Sequence, residues 1–333
     1  MVANNSKVKR IAIVGLGSIG KKHLRILKKL RPEIEIILIR SGLGESCKEE
    51  KLAKATFKKL DDTDLHLDGA IISTPAPFHL DQAKEFVKKK IPILIEKPIS
   101  HNLEKIKNFI YLCKKHNALV LIGYVLRYSP SLIFFNKMIV KNKLGKPIFV
   151  EINCSSYLPN WRPNKNYRKS VSARSDLGGG VLLELSHELD YLNWIFGPFS
   201  KINSKLNISG KLDIDVEDEA YLNLISKNKL PISVYLNFYK KENKRNCKFI
   251  TSKGTLEWNG IKNCVTYHNH KGKIKKWNFK IKKDYMYENQ LNHFLKCIEK
   301  KISPQVSLTS GIEALKLVVR AKESSLKKSI INI

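Results

Sequence analysis

From Arg10 to Gly20 the chain reads Arg-Ile-Ala-Ile-Val-Gly-Leu-Gly-Ser-Ile-Gly, an apolar run closed by three glycines. Ile11, Ile13 and Val14 have the pattern of a buried strand, and Leu24, Leu27 and Leu30 recur on one face of the stretch that follows. A strand must therefore turn at once into a helix. Gly15 permits that tight turn, Gly17 lets the main chain approach a ligand, and Gly20 lets the helix pack on the strand. With Ser18 and Ile19 between them, the first-turn N–H groups face an anion such as a pyrophosphate. A bare glycine-rich turn has no need of this spacing in this context, so the segment reads as a dinucleotide cradle.

Up to about residue 123 short apolar runs alternate with helical stretches, the pattern of a parallel sheet with helices on both faces. Strands are expected at 10–14, 35–39, 69–73, 93–95 and 119–122, with helices near 21–30, 47–53, 80–89 and 103–115. After a helix to about residue 140 and a strand at 147–157 comes a polar loop, 158–176. A glycine-led helix over 178–196 follows. The period then changes: seven strands between 201 and 280 alternate as in an antiparallel sheet, and two helices, 289–299 and 308–326, close the chain. The expected architecture is an α/β Rossmann domain with a doubly wound parallel sheet, residues 1–123. An α+β domain with a large, mostly antiparallel open sheet follows, residues 124–333.

Sixty-one Lys and Arg against 30 Asp and Glu give a formal charge of +31. Such a balance raises the question of nucleic acid. The lysines are spread over nearly every segment and no helix-turn-helix or finger spacing occurs, so a nucleic-acid partner is not expected. The positive field suits anionic small ligands. Six scattered cysteines without a Cys-x-x-Cys read as reduced, mostly buried thiols, and no metal is expected. Met1–Ser6 reads as a loose tail without the apolar core of a signal peptide, and no segment is apolar enough to span a bilayer. A cytoplasmic location is expected.

Chemistry-bearing residues cluster where the strands should end. Arg40 stands twenty residues after Gly20, where an acid would ordinarily meet the adenosine ribose. Arg40 and Ser41 offer a guanidinium and a hydroxyl instead, which suit a 2′-phosphate and favour NADP, with NAD as the other possibility; a solvated strand-end arginine is the plainer account. Ser73, Thr74 and Pro75 end a strand at the ligand edge and, with His79, are cofactor-contact candidates, although His79 fits a cap equally well. Glu96 and Lys97 place two charges at the end of another apolar strand. Glu96 can accept from a nicotinamide ribose and Lys97 can meet a substrate hydroxyl, or the two can form an ion pair that ends the strand. On the glycine-led helix Glu184, His187 and Asp190 are three apart, so they share a face as a proton-handling set, with a carboxylate orienting the ring. In the preceding loop Tyr157, Trp161, Arg162, Tyr167 and Arg168 fit both a sugar-stacking surface with an anion clamp and a solvated connection.

The segments GLGSIG, STPAPFH, EKP, the Gly-Tyr-x-x-Arg-Tyr-x-Pro stretch at 123–130 and GGGVLLELSHELDYLNWIFG occur in the order and approximate spacing of one family. Across its whole length the chain resembles the Gfo/Idh/MocA family of nicotinamide-dependent oxidoreductases, which includes glucose-fructose oxidoreductase and inositol dehydrogenases. The resemblance implies that Lys97 and His187 line the hydride-transfer site and makes Arg127, Tyr157, Trp161, Arg162, Tyr167, Arg168 and Asp190 substrate-contact candidates. Where many members carry an aspartate four residues before the histidine, this chain has Leu183, and Glu184 stands three before it. This variant resembles members associated with surface-sugar biosynthesis, which implies a nucleotide-linked or amino sugar.

The sequence therefore leads to an oxidoreductase exchanging hydride between NADP(H) and a carbohydrate hydroxyl carbon, with Lys97 or His187 exchanging the proton. The alternative is a non-catalytic dinucleotide sensor on the same fold. The second-domain sheet, with an apolar face expected to be open, leads to a homo-oligomer, dimer or tetramer, through that sheet.

Overall fold

A computed structural model describes residues 7–42 and 46–333; the expected tail Met1–Ser6 lies outside the described residues. The first six strands are β1 (Arg10–Val14), β2 (Glu35–Ile39), β3 (Ala55–Phe57), β4 (Gly69–Ile72), β5 (Ile93–Ile95) and β6 (Val120–Ile122), with helices α1 (Ser18–Leu30), α2 (His79–Lys88) and α3 (Ile106–Lys115) between them. All pair in parallel, in the order β3-β2-β1-β4-β5-β6. The order reverses between β1 and β4, and doubly wound sheets bind ligands at the carboxyl ends beside such a switch point. Ile11, Ala12 and Ile13 of β1 are fully buried, which accounts for the continuous apolar run of a strand covered on both faces.

The second sheet follows α4 (Pro130–Val140) and contains β7 (Pro147–Ser155), β8 (Phe199–Asn207), β9 (Glu219–Ser226), β10 (Pro231–Asn237), β11 (Lys244–Thr251), β12 (Gly254–Asn259), β13 (Cys264–Asn269), β14 (Ile274–Asn278) and β15 (Ile331–Asn332). Two short helices, α5 (Val181–Glu184) and α6 (His187–Phe196), lie between β7 and β8, and α7 (Tyr285–Lys300) and α8 (Leu308–Lys327) precede β15. The order is β14-β13-β12-β11-β7-β10-β9-β8-β15, antiparallel except for β7 beside β10.

The chain divides into two units, Met1–Val125 with Lys283–Ile312 and Leu126–Lys282 with Glu313–Ile333. The sequence leads instead to two consecutive blocks. The difference lies in α7, whose Leu291, Phe294 and Leu295 pack in one cluster with Ile11, Ile13, Leu24 and Leu27. An apolar stripe on a helix does not record which sheet it will cover.

Three further expectations change. The stretch 47–53 is a 3-10 turn, Lys48–Leu52, rather than an α-helix. The stretch 178–196 is not one helix: Leu185 takes φ −93° and ψ 24°, and the Ser186 hydroxyl donates back to the Leu183 carbonyl at 2.8 Å, an alternative that short polar side chains offer to helical pairing. The apolar face of the large sheet is also the covered one. Trp258 is fully buried, with its Nε1 donating to Ser131 of α4 and its ring edge-on to Tyr191 of α6 at 5.3 Å. The opposite face carries two polar rows in register, Asn203-Asn223-Ser233-Glu151-Lys248-Glu257-Thr266 and Lys205-Tyr221-Tyr235-Asn153-Asn246-Asn259, every residue half-buried or exposed.

Candidate active site

In the first unit the glycines shape the β1–α1 turn. Gly15 has φ +83° and a side chain there would meet Thr74 Cγ2 at 2.7 Å; one at Gly20 would meet Ser73 Oγ at 2.7 Å; Gly17 has nothing within 4 Å. The space in front of Gly17 is thus open while the turn behind it is closed. No side chain caps α1 and its first turn, from Ser18 and Ile19 onward, contains no acid, and the residues present fit a dinucleotide pyrophosphate. The Ser73 hydroxyl is spent on the turn itself, donating to Val14 O at 2.9 Å and Gly15 O at 2.8 Å. The Thr74 hydroxyl donates to Gln82 at 2.6 Å, and Pro75 leads into the 3-10 turn Ala76–Phe78.

Arg40 directly follows β2, with its N–H donating to Phe57 O at 3.0 Å. Its guanidinium pairs with the Glu50 carboxylate. Glu50 also accepts the Cys47 N–H at 2.8 Å, and these two contacts, the Cys47 N–H first, hold its carboxyl below the usual range. Ser41 is exposed.

Beyond β5 the Glu96 carboxylate points inward. One oxygen lies 2.6 Å from Nε2 of the fully buried His23; the other accepts the Lys97 N–H at 3.2 Å. Gly123 leaves it room, since a side chain there would meet Glu96 Oε2 at 2.9 Å. Glu96 is thus a buried anchor at the edge of the sheet, and the half-buried Lys97 follows it at the carboxyl end of β5. His79 is buried with Nδ1 2.9 Å from Pro98 O and Nε2 2.7 Å from Thr74 O. Burial pushes its imidazole below the ordinary value, against the pull of both carbonyls.

In the second unit Glu184 ends α5 and His187 begins α6, both half-buried. Asp190 is engaged by Arg127, whose Nε and Nη2 donate to its two oxygens at 2.7 and 3.0 Å. Both are buried, and the guanidinium lies 4.6 Å from the centre of the Trp194 ring. Burial pushes the Asp190 carboxyl up to about 6, with Arg127 opposing. A second buried pair holds the same helix: Arg245 Nε donates to Glu188 at 2.7 Å. Three of the loop candidates, Trp161, Arg162 and Tyr167, line a shallow hollow of about 200 Å³, open mouth included, with Leu158, Ser170 and Ser172. Trp161 donates to Ser156 at 2.8 Å and stands edge-on to Phe238 at 5.2 Å. Arg168 pairs with Asp213 at 2.8 Å, Arg162 is exposed, and Tyr157 and Tyr167 are half-buried.

Sequence reasoning passed over His23, Glu50, Glu188 and Arg245. His23 had a legible signal, because it occupies the buried stripe of α1 with Leu24 and Leu27, where a polar ring needs a partner. The others are paired by tertiary contacts.

The NAD-binding Rossmann model of an oxidoreductase family matches residues 9–124, and the C-terminal alpha/beta domain model of the same family matches residues 136–333. The chain belongs to the Gfo/Idh/MocA oxidoreductase family. An uncharacterised oxidoreductase of Synechocystis sp. is 23% identical over 243 residues, 67% of this chain and 64% of that protein. The match thus spans somewhat under two thirds of that relative, and 53% of a Bacillus subtilis one, itself 24% identical over 56% of this chain. Among solved structures, levoglucosan dehydrogenase in complex with NADH and L-sorbose superposes with TM-score 0.87 at 15% identity, covering 98% of both chains. WlbA dehydrogenase from Bordetella pertussis, in complex with NADH and UDP-GlcNAcA, gives TM-score 0.83 at 18% identity, again over 98% of both. These likenesses establish the Gfo/Idh/MocA fold over both units. No helix among the described residues is long and apolar enough to cross a membrane.

Proposed function

We propose that the protein is an NAD(P)-dependent dehydrogenase or reductase that interconverts a hydroxyl and a keto carbon on a sugar or polyol. The observation that carries the reading is Lys97, a half-buried amine-bearing side chain directly after β5, on the carboxyl edge of the sheet whose β1–α1 turn is open at Gly17. Gly15, Gly17, Ser18, Ile19 and Gly20 would hold the pyrophosphate, with Thr74 and Pro75 beside them on the same edge. The bound nicotinamide supplies the hydride acceptor or donor. Lys97 Nζ, as the free amine, takes the hydroxyl proton while hydride leaves the carbon of the same C–O bond, and returns that proton in the opposite direction. His187 is the second candidate for this exchange, with Glu184 beside it in sequence. Arg127 and Asp190 brace α6.

Arg40 and Ser41 support a preference for NADP. Glu50 on the Arg40 guanidinium favours the second reading, NAD, because its carboxylate would repel a 2′-phosphate and accept from ribose hydroxyls. The substrate class we favour is a nucleotide-linked or amino sugar of surface-polysaccharide biosynthesis. Arg162, Tyr167 and Trp161 would form its contacts, the protein would act in the cytoplasm, and a homo-oligomer would form through the polar open face of the large sheet. Titration with NADPH and NADH by nicotinamide fluorescence, then turnover assays with UDP-N-acetylglucosaminuronic acid, UDP-N-acetylglucosamine, levoglucosan and scyllo-inositol, tests the reading. Turnover of a UDP sugar supports it in full, and turnover of levoglucosan or scyllo-inositol alone overturns the substrate class. Tight cofactor binding without turnover of any of them favours a dinucleotide sensor.

A further inference from the structure

The segment Glu96-Lys97-Pro98 is gripped on both sides of the lysine by buried imidazoles from two different helices. From α1, His23 Nε2 lies 2.6 Å from Glu96 Oε1. A carboxylate oxygen accepts, so the hydrogen of this bond is carried by Nε2, and Nδ1 is left buried without a partner. From α2, His79 reaches the carbonyl of Pro98 at 2.9 Å and that of Thr74 at 2.7 Å. The other Glu96 oxygen takes the Lys97 N–H, and Gly123 lies against the carboxylate so closely that a Cβ there would overlap it. Thus residues 96 and 97 each have a hydrogen bond that the strand does not supply, and the Pro98 carbonyl gains one in the tautomer that carries the single N–H of neutral His79 on Nδ1.

We propose that His23 and His79 are positioning residues for Lys97, fixing the main chain on either side of it so that its side chain leaves the sheet edge from one point. The catalytic meaning of this clamp rests on the role given to Lys97 above; the clamp itself does not. The same bond ties α1, which would hold the pyrophosphate, to the lysine segment, so the cofactor cradle and the proton-exchanging group are set as one body. His23 is nowhere exposed and touches no ligand in this scheme. It acts only through Glu96.

The test compares the full chain with His23→Phe, which fills the ring volume and keeps the edge contact with Tyr287 but removes the donor, and with His23→Gln, which restores an N–H at about the same reach. Amide hydrogen exchange is followed at Lys97 and Ile99, and at β1 and β4 as controls. A charge-assisted hydrogen bond lost from a buried segment is expected to raise exchange at Lys97 and Ile99 by about tenfold or more. The controls should stay unchanged and His23→Gln should return to within about threefold of the parent. His79→Phe, expected to accelerate Ile99 in the same way, serves where His23→Phe fails to fold. Unchanged exchange in the segment, or acceleration spread equally over β1 and β4, overturns the clamp. Protection of Lys97 from acetic anhydride by NADH, read by mass spectrometry on the parent, separately tests whether the lysine lies at the cofactor site.

Discussion

Asp190 is buried against Arg127 with its carboxyl pushed up to about 6 from an ordinary 3.8, and Asp190→Asn isolates what that shift does to stability. The native state holds this proton more tightly than the unfolded chain. Its contribution is therefore fully present below about 3.8 and is lost as pH rises through about 6. The two values differ by about two units, and at about 1.4 kcal/mol per unit the loss is about 3 kcal/mol. The amide of the variant cannot titrate, and it adds a constant cost by removing the counter-ion that faces the Arg127 guanidinium. That cost shifts the whole curve and leaves the slope untouched. The stability of the parent relative to Asp190→Asn should therefore fall by about 3 kcal/mol between pH 3 and pH 8. For a urea slope of roughly 3 kcal/mol per M, the difference in midpoint should change by about 1 M. Trp161, Trp194, Trp258 and Trp277 are the chain's four tryptophans and all lie in the second unit, so intrinsic fluorescence reports that unit's unfolding alone. Parallel curves, or a parent that gains stability toward pH 7, would mean that Arg127 outweighs burial and would refute the reasoning.

Four further outcomes follow. Lys97→Met should abolish sugar turnover while changing the NADH dissociation constant by no more than a few-fold; retained turnover removes Lys97 from the mechanism. Arg40→Ala should weaken NADPH about tenfold or more and leave NADH nearly unchanged by fluorescence titration, whereas equal losses for both would make Arg40 structural. Gly180 has φ +108° and a side chain there would meet the Glu217 carboxylate at 2.6 Å, so Gly180→Ala should cost at least about 1–3 kcal/mol in the tryptophan-monitored transition. Burial holds the His79 imidazole below its ordinary 6.5; its contribution to stability is present above that value and shrinks as pH falls below it. With the intrinsic pH dependence of amide exchange divided out, protection at β4 and β5 should accordingly fall toward pH 5 in the parent, and less so in His79→Phe.

The cradle was legible because each of its requirements is local: a buried strand, a positive φ at Gly15, a helix packed over Gly20. The place of Lys97, directly after β5, was legible because an apolar run ending in two charges marks the end of a buried strand. The interruption between Glu184 and His187 was not legible, because helical spacing assumes a continuous helix and the break lies at Leu185 and Ser186. The partner of Glu96 was not legible, since His23 stands 73 positions away. The open face of the large sheet, expected to be apolar, proved polar because alternation along a strand tells that one face is buried but not which neighbours bury it.

The sequence by itself determined the parallel and antiparallel halves, the glycine turn and the family, all of which depend on periodicity and short-range sterics. Tertiary structure alone decided the pairings of His23 with Glu96, Arg127 with Asp190, Arg245 with Glu188 and Arg40 with Glu50, and the docking of α7 on the first sheet. Those contacts join distant segments, and their partners are selected by burial, which a residue acquires only when the chain has closed around it.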